Sequence, residues 1–235
     1  MNPHLPPQIN GHRLNLSIRL GGPPDDDWLA WQLADSAFPT GGFAHSAGLE
    51  AAWQHGEVRN SAQLTSFIEA CLWQIGYGSL PFLTAAHDDP SRLDELDHLC
   101  EAFLTNHVAN RASRLQGRAF LASAKRIFDV ACPDLHHAHF APAYGAVTCG
   151  LGLSRGRAGE IFFYQYLRGL IAAAVRLGIV GPMEGQSLQR HAAAEAQAVF
   201  AQCENLAVDE IAQTSPLLEI WQGAQDRLYS RLFQS

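Results

Sequence analysis

Apolar positions recur at helical spacing along almost the whole chain. The clearest run is Leu64, Phe67, Ile68, Cys71, Leu72 and Ile75, at i, i+3, i+4, i+7, i+8 and i+11. These positions share one stripe of a helix. Asn60 supplies an N-cap with Gln63 three residues on, and Gly76 marks the expected end. Asp89-Pro90 opens the next helix, with proline at the first helical position. Leu93, Leu96, Cys100, Phe103, Leu104 and His107 repeat the period. That helix is expected to continue through "ANRASRLQGRAFLASAKRIF", with Gly117 as its weak point.

Trp28 to Phe38 reads as a helix ended by Pro39, and a second helix is expected from near Phe43 to Gly56. Pro142 is expected to start a short helix. Ser154 is expected to cap a long one containing "GEIFFYQYLRGLIAAAVRL". This helix is apolar on nearly every side, which places it at the centre with others around it. Gly178 and Pro182 precede a helix running to about Leu206, and Ser215-Pro216 begins the last segment. No stretch sustains period-two alternation with β-branched residues, and no solenoid period appears. The expected fold is all-α, a single-domain helical bundle of residues 27–235 around the central apolar helix. Residues 1–26, with "GGPP" and "DDD", read as a flexible N-terminal arm.

Charge narrows the function. The chain carries a net −7, with 23 acidic against 16 basic residues. That speaks against nucleic acid and against an anionic membrane surface as partners. The first residues lack the continuous apolar core of a secretion signal. Arg168 and Arg176 interrupt the most apolar run, so it reads as a buried helix and not a membrane span. The five cysteines are scattered without a Cys-x-x-Cys, as expected of reduced thiols in a cytoplasmic protein.

Candidate chemistry is sparse. Neither G-x-x-x-x-G-K-[ST] nor G-x-G-x-x-G occurs, and "GLGLSRGRAG" reads as a connection between helices. His136, His137 and His139 cluster in "HHAHF", and His87 and His98 lie among acidic residues. None has the i, i+4 pairing with glutamate found in helical zinc sites. They are expected to face solvent or cap helices, although imidazole suits nickel. No cofactor and no resident metal are expected. His45 and Ser46 are adjacent, which on a helix sets them about 100° apart and not as a dyad. No G-x-S-x-G occurs, and Asp94 and Asp97 are expected on a solvated face. Arg111, Arg114 and Arg118 share one helix face, which is either solvated or a surface for an acidic partner.

"LADSAFPTGGFAHSAGLE", from Leu33 to Glu50, resembles the N-terminal signature of the UreF family of urease accessory proteins. Three further segments agree in order. "ASRLQGRAFL" is similar to the family's mid-chain Arg-Ser-Gln-Gly helix, "RLGIVGPMEGQSLQ" to its late helix junction and "YSRLFQS" to its tail. Together they bracket the chain from about residue 28 to 235. The resemblance implies an all-helical, cytoplasmic, non-enzymatic adaptor that forms a homodimer. Its implied partners are a UreD/UreH-like accessory protein, the GTPase UreG and apo-urease, and its implied role is to couple GTP turnover to nickel insertion. For partner binding the resemblance points to Pro39, Gly41, Gly42, Phe43, His45 and Ser46 in the first segment. It adds Arg114, Gln116 and Gly117 in the second, and Tyr229, Ser230, Arg231, Leu232 and Phe233 in the last. Gly41 and Gly42 permit backbone angles closed to other residues. Phe43 and Trp53 suit aromatic anchors; Phe43 stands where some relatives carry tyrosine. Tyr229, Leu232 and Phe233, at i, i+3 and i+4, are expected on one face of a final helical turn that docks the UreD-like component, with Arg231 pairing an acidic group. Two other classes stay open: an all-helical small-molecule enzyme with His45 or a cysteine in its pocket, and a nickel-binding storage protein.

Overall fold

A computed structural model describes residues 27–235; the arm expected over residues 1–26 lies outside the described residues. The helices are α1 (Asp27–Ala34), α2 (Leu49–Gln54), α3 (Ser61–Gly78), α4 (Leu80–Asp88), α5 (Leu93–Phe103), α6 (His107–Ile127), α7 (Phe140–Gly150), α8 (Arg155–Arg176), α9 (Pro182–Cys203) and α10 (Pro216–Ala224). Short 3-10 turns occupy Gly42–Ala44, Pro90–Arg92, Val208–Glu210 and Gln225–Arg227. Among the described residues there is no strand, so the all-α expectation holds.

The apolar helix is central. α8 packs against α1, α2, α3, α4, α7 and α9, burying Ile161, Phe162, Phe163, Leu167, Leu170 and Ile171. One seam of it stays open, through Glu160, Tyr164, Ala172 and Arg176. Gln165 and Arg168 donate to the carbonyls of Leu33 and Ala34, which satisfies the last orphan acceptors of α1. The expected caps are in place. Asn60 Oδ1 accepts from the Gln63 N–H at 3.0 Å, and Ser154 Oγ accepts from the Arg157 N–H at 3.3 Å.

Several helix ends differ from the sequence pattern. α1 stops at Ala34 and not at Pro39, because Asp35 Oδ1 accepts from the Ala37 N–H at 2.8 Å and turns the chain first. The helix expected from Phe43 begins only at Leu49, after Ala47 and Gly48 adopt left-handed φ of 53° and 87°. Gly76 does not end α3. It is a contact point instead: a Cβ there would stand 2.7 Å from Val199 Cγ1 on α9. The helix opened near Asp89-Pro90 does not run on into residues 107–127. It ends at Phe103, and Asn106 Oδ1 accepts from the Val108 and Ala109 N–H groups to start α6. Gly117 is no weak point, since α6 is continuous through it. α7 begins at Phe140, which puts Pro142 in its first turn, and α9 ends at Cys203, short of Leu206.

No described helix is long and apolar enough to cross a membrane. Cys71, Cys100 and Cys203 are buried and free. Burial pushes the Cys71 thiol up to about 12, so it stays protonated and unreactive.

Candidate functional site

The corner at residues 35–50 is built against α6. The Pro39 carbonyl accepts from Ser123 Oγ at 3.1 Å, and Gly42 lies beside the Gln116 side chain. Gly41 takes the left-handed φ of 73°, whereas Gly42 does not need glycine's freedom. The second glycine the corner requires is Gly48. Its φ is 87° and a Cβ would stand 2.9 Å from the Gln222 backbone nitrogen of α10. Phe43, on the tip, is 74% exposed.

The last residues of the chain lie across this corner as a strap. Ser46 donates to the main-chain oxygen of Ser235 through its N–H and, at 3.0 Å, through Oγ. The Gln234 N–H donates to the Ala44 carbonyl at 2.7 Å, and His45 Nδ1 stands 2.5 Å from Ser235 Oγ. Glu50 is buried beneath the strap. It accepts from the N–H groups of Leu232 and Phe233 at 2.6 and 3.1 Å, and from Gln225 Nε2 at 2.6 Å. Arg176, at the end of α8, donates to the Phe43 carbonyl at 2.7 Å and the Leu232 carbonyl at 3.5 Å. Its guanidinium sits 4.1 Å from the Phe233 ring centroid, a cation–π contact.

This geometry corrects the helical reading of the tail. Glu50 and Ala44 take the N–H groups of residues 232–234, which a helical turn would need for itself. Tyr229, Leu232 and Phe233 therefore do not share a face. Phe233 is buried, Tyr229 is fully exposed and Leu232 mostly so. Arg231 does find an acidic group, Asp226, at 2.9 Å. Asp226 also receives Arg111 through two bonds of 2.8 and 3.0 Å and His107 at 3.2 Å. The hydrogen bond from Arg111 leads the effects that hold its carboxyl below the usual carboxylate range.

The mid-chain trio is split among faces of α6. Gln116 meets the corner. Arg114 turns to Glu101, at 3.8 Å. Gly117 faces the turn at residues 136–139, where a Cβ would stand 1.9 Å from the Ala138 carbonyl oxygen. That turn is pinned by Asp97, which accepts from the N–H groups of His137, Ala138 and His139 at 3.0, 3.0 and 2.7 Å. Asp97 is fully buried and not on a solvated face, because it lies one turn from Leu93 on the apolar stripe of α5. His139 is buried too and immediately precedes α7. Its Nε2 is 2.8 Å from Glu101 Oε2 and its Nδ1 3.1 Å from Ser113 Oγ. Among the described residues no three His, Cys, Asp or Glu side chains are placed to hold a metal ion.

Glu50, Asp97, Arg176 and Gln225 are the positioning residues that sequence reasoning passed over. Glu50 had a signal, a lone carboxylate inside the small and apolar run "AGLEAAW".

His45 makes this region sensitive to acid. Burial first, then the nearby Arg111 charge, lowers its pKa from 6.5 to about 4. Below pH 6.5 the unfolded chain takes up a proton that the folded chain refuses until about pH 4. The stabilisation is complete above the unfolded value and is lost as pH falls between the two. Burial lowers the His139 value as well, which adds in the same direction. Stability is expected to fall by about 2 kcal/mol from this one group between pH 7 and pH 5. Urea melts of the parent and of His45→Gln check this; a variant with the parent's full pH slope would show that His45 is not its source.

Two grooves border these elements. One, of about 650 Å³, lies between the end of α5 and the first turns of α6. The other, of about 600 Å³, lies between α1 and α8 beneath Trp31 and Tyr164. Neither is lined by His45 or by a cysteine, so the pocket imagined for a small-molecule enzyme finds no support in them.

Comparison with known proteins gives a consistent result. A family model for UreF matches residues 58–193. Urease accessory protein F of Oryza sativa subsp. indica is 39% identical over 220 residues, covering 88% of this chain and 84% of that protein. Urease accessory protein F of Arabidopsis thaliana is 37% identical over 222 residues, covering 88% and 92%. Urease accessory protein UreF of Rhizobium leguminosarum bv. viciae is 31% identical over 211 residues, covering 85% and 92%.

Proposed function

The chain belongs to the UreF family of urease accessory proteins, and from that premise we propose that it is the adaptor of a urease-maturation assembly. It is an accessory protein and not itself a catalyst. In this reading it works in the cytoplasm, joins a UreD/UreH-like protein and a UreG-like GTPase to apo-urease, and couples GTP turnover to insertion of nickel, its cargo. The GTPase supplies the nucleotide site that this sequence lacks.

One observation carries the reading. Segments far apart in sequence, each with a family resemblance, converge on a single face. They are the corner at Pro39–Glu50, Gln116 on α6, Arg176 at the end of α8, and the strap at Tyr229–Phe233. Around it Phe43, Leu115, Tyr229 and Leu232 are left in solvent, with the Arg111–Asp226–Arg231 cluster at its edge. Exposed apolar side chains gathered beside charged ones suit a protein interface. The UreD/UreH-like protein is assigned to this face.

Co-expression and pull-down test it. Deleting residues 226–235 is expected to abolish capture of the UreD/UreH-like protein. Because that deletion also uncovers Glu50, a gentler variant is needed. Tyr229→Ser with Leu232→Ser touches only solvent-facing side chains and is expected to weaken capture by ~1–3 kcal/mol. Full-strength capture by that folded variant would remove the tail from the interface.

The homodimer is assigned to a different face, the α1–α8 groove. Trp28 and Trp31 stack edge to face with centroids 5.2 Å apart, and both, with Tyr164, are exposed. A two-fold pairing would bury all three from both copies. Trp31→Glu with Tyr164→Glu is expected to give a folded monomer by light scattering. A dimer that persists in this variant would place the contact elsewhere.

A further inference from the structure

We propose that the groove between α5 and α6 docks an acidic segment of a protein partner. Arg111, Arg114 and Arg118 line it on one side, facing Glu101, Leu104 and Thr105. Their spacing of three and four residues stacks them on successive turns of one helix face.

The three arginines are not equally engaged. Arg111 is held by Asp226 through two hydrogen bonds. Arg114 reaches only Glu101, at 3.8 Å, and Glu101 already accepts from Asn110 at 2.9 Å and meets His139 at 2.8 Å. The Nε of Arg114 is buried without a hydrogen-bond partner among the described residues. Arg118 makes no ion pair with any described acidic group. The groove therefore keeps a surplus of positive charge on a chain whose net charge is −7.

That contrast selects the occupant. The net negative charge repels an acidic partner on average, and the arginines of this trough supply the local attraction that steers its approach. Two guanidinium groups one helical turn apart match two carboxylates on neighbouring turns or alternate strand residues, each able to bind in bidentate fashion. Leu104 in the wall and the exposed Leu115 beside it add apolar contact along the trough. An elongated, partly apolar trough fits a peptide better than a compact anion, and the net negative charge disfavours nucleic acid.

Only the identity of the natural partner rests on the adaptor reading; peptide binding to the purified chain does not. The probe is a fluorescently labelled glutamate-rich peptide, with its glutamine counterpart as control, titrated with the full chain at low salt and read by anisotropy. The glutamate peptide is expected to bind and the glutamine peptide not. Arg114→Gln with Arg118→Gln is expected to weaken binding by about tenfold or more. Should the double variant fail to fold, Arg118→Gln alone, at an exposed position, carries the same expectation of weaker binding. Binding unchanged in the folded variant, or absent from the parent, overturns the proposal. So does displacement of the peptide by inorganic phosphate as readily as by unlabelled peptide, which would mark a small-anion site. A chain that binds the peptide but captures no UreD/UreH-like protein overturns the adaptor reading and leaves the groove standing.

Discussion

Gly117→Ala is expected to destabilise the fold by about 3 kcal/mol, the upper end of ordinary overpacking costs. Helix propensity alone predicts the opposite, a gain of about 1 kcal/mol for replacing glycine by alanine within a helix. The sign is reversed by what lies opposite. The new Cβ would stand 1.9 Å from the Ala138 oxygen and 2.8 Å from the carbonyl carbons of Ala138 and His139. All three obstacles are backbone, and the turn that carries them has nowhere to retreat. Asp97 holds it by three N–H groups, and His139 is wedged between Glu101 and Ser113. On the other side Phe120 of α6 packs edge to face on Phe140, with centroids 5.7 Å apart. Helix and turn are thus tied together on both sides of the glycine. Urea melts of the parent and the variant measure the difference. A Gly117→Ala protein as stable as the parent would show that the turn moves freely.

Glu50→Ala is expected to release the strap. The carboxylate is buried and accepts from two backbone N–H groups and one side-chain amide. Each buried donor left without an acceptor costs about 1–3 kcal/mol. The three together exceed the cost of letting residues 231–235 detach and find water, so the strap peels away while the helices remain. The expected loss is about 3 kcal/mol, with little change in helical circular dichroism. Hydrogen exchange at Leu232 and Phe233 should rise towards that of an unstructured segment. Capture of the UreD/UreH-like protein should fall with it if that face is the docking surface. Glu50→Gln keeps the shape but turns one acceptor into a donor that faces a donor, and an intermediate loss is expected. Unchanged protection at Leu232 and Phe233 in Glu50→Ala would mean that other contacts hold the strap.

The sequence by itself determined whatever depends on near neighbours along the chain. The helical class, the apolar stripe of α3, the caps at Asn60 and Ser154 and the dominance of α8 follow from spacing, propensity and local hydrogen bonds. So does the shared face of Arg111, Arg114 and Arg118. The four segments with a family resemblance were readable one by one, and the matches to urease accessory proteins agree with them. Asp97 was within reach, since it falls on the same stripe as Leu93 and Leu96.

Tertiary structure decided what each ambiguous residue means, because that depends on an atom distant in sequence. Gly76 and Gly117 look like helix breakers, yet both are points where another element comes too close for a side chain. Gly42 was read as the second special glycine of the corner, and Gly48, against α10, took that part. Tyr229, Leu232 and Phe233 have helical spacing, but Glu50 took the N–H groups of Leu232 and Phe233, and the Ala44 carbonyl that of Gln234, across the fold. A spacing rule records which positions can share a face of an isolated helix. It contains no acceptor from more than 180 residues away, and here that acceptor, together with Arg176 above Phe233, joined three separate segments, the corner, the end of α8 and the tail, into one surface.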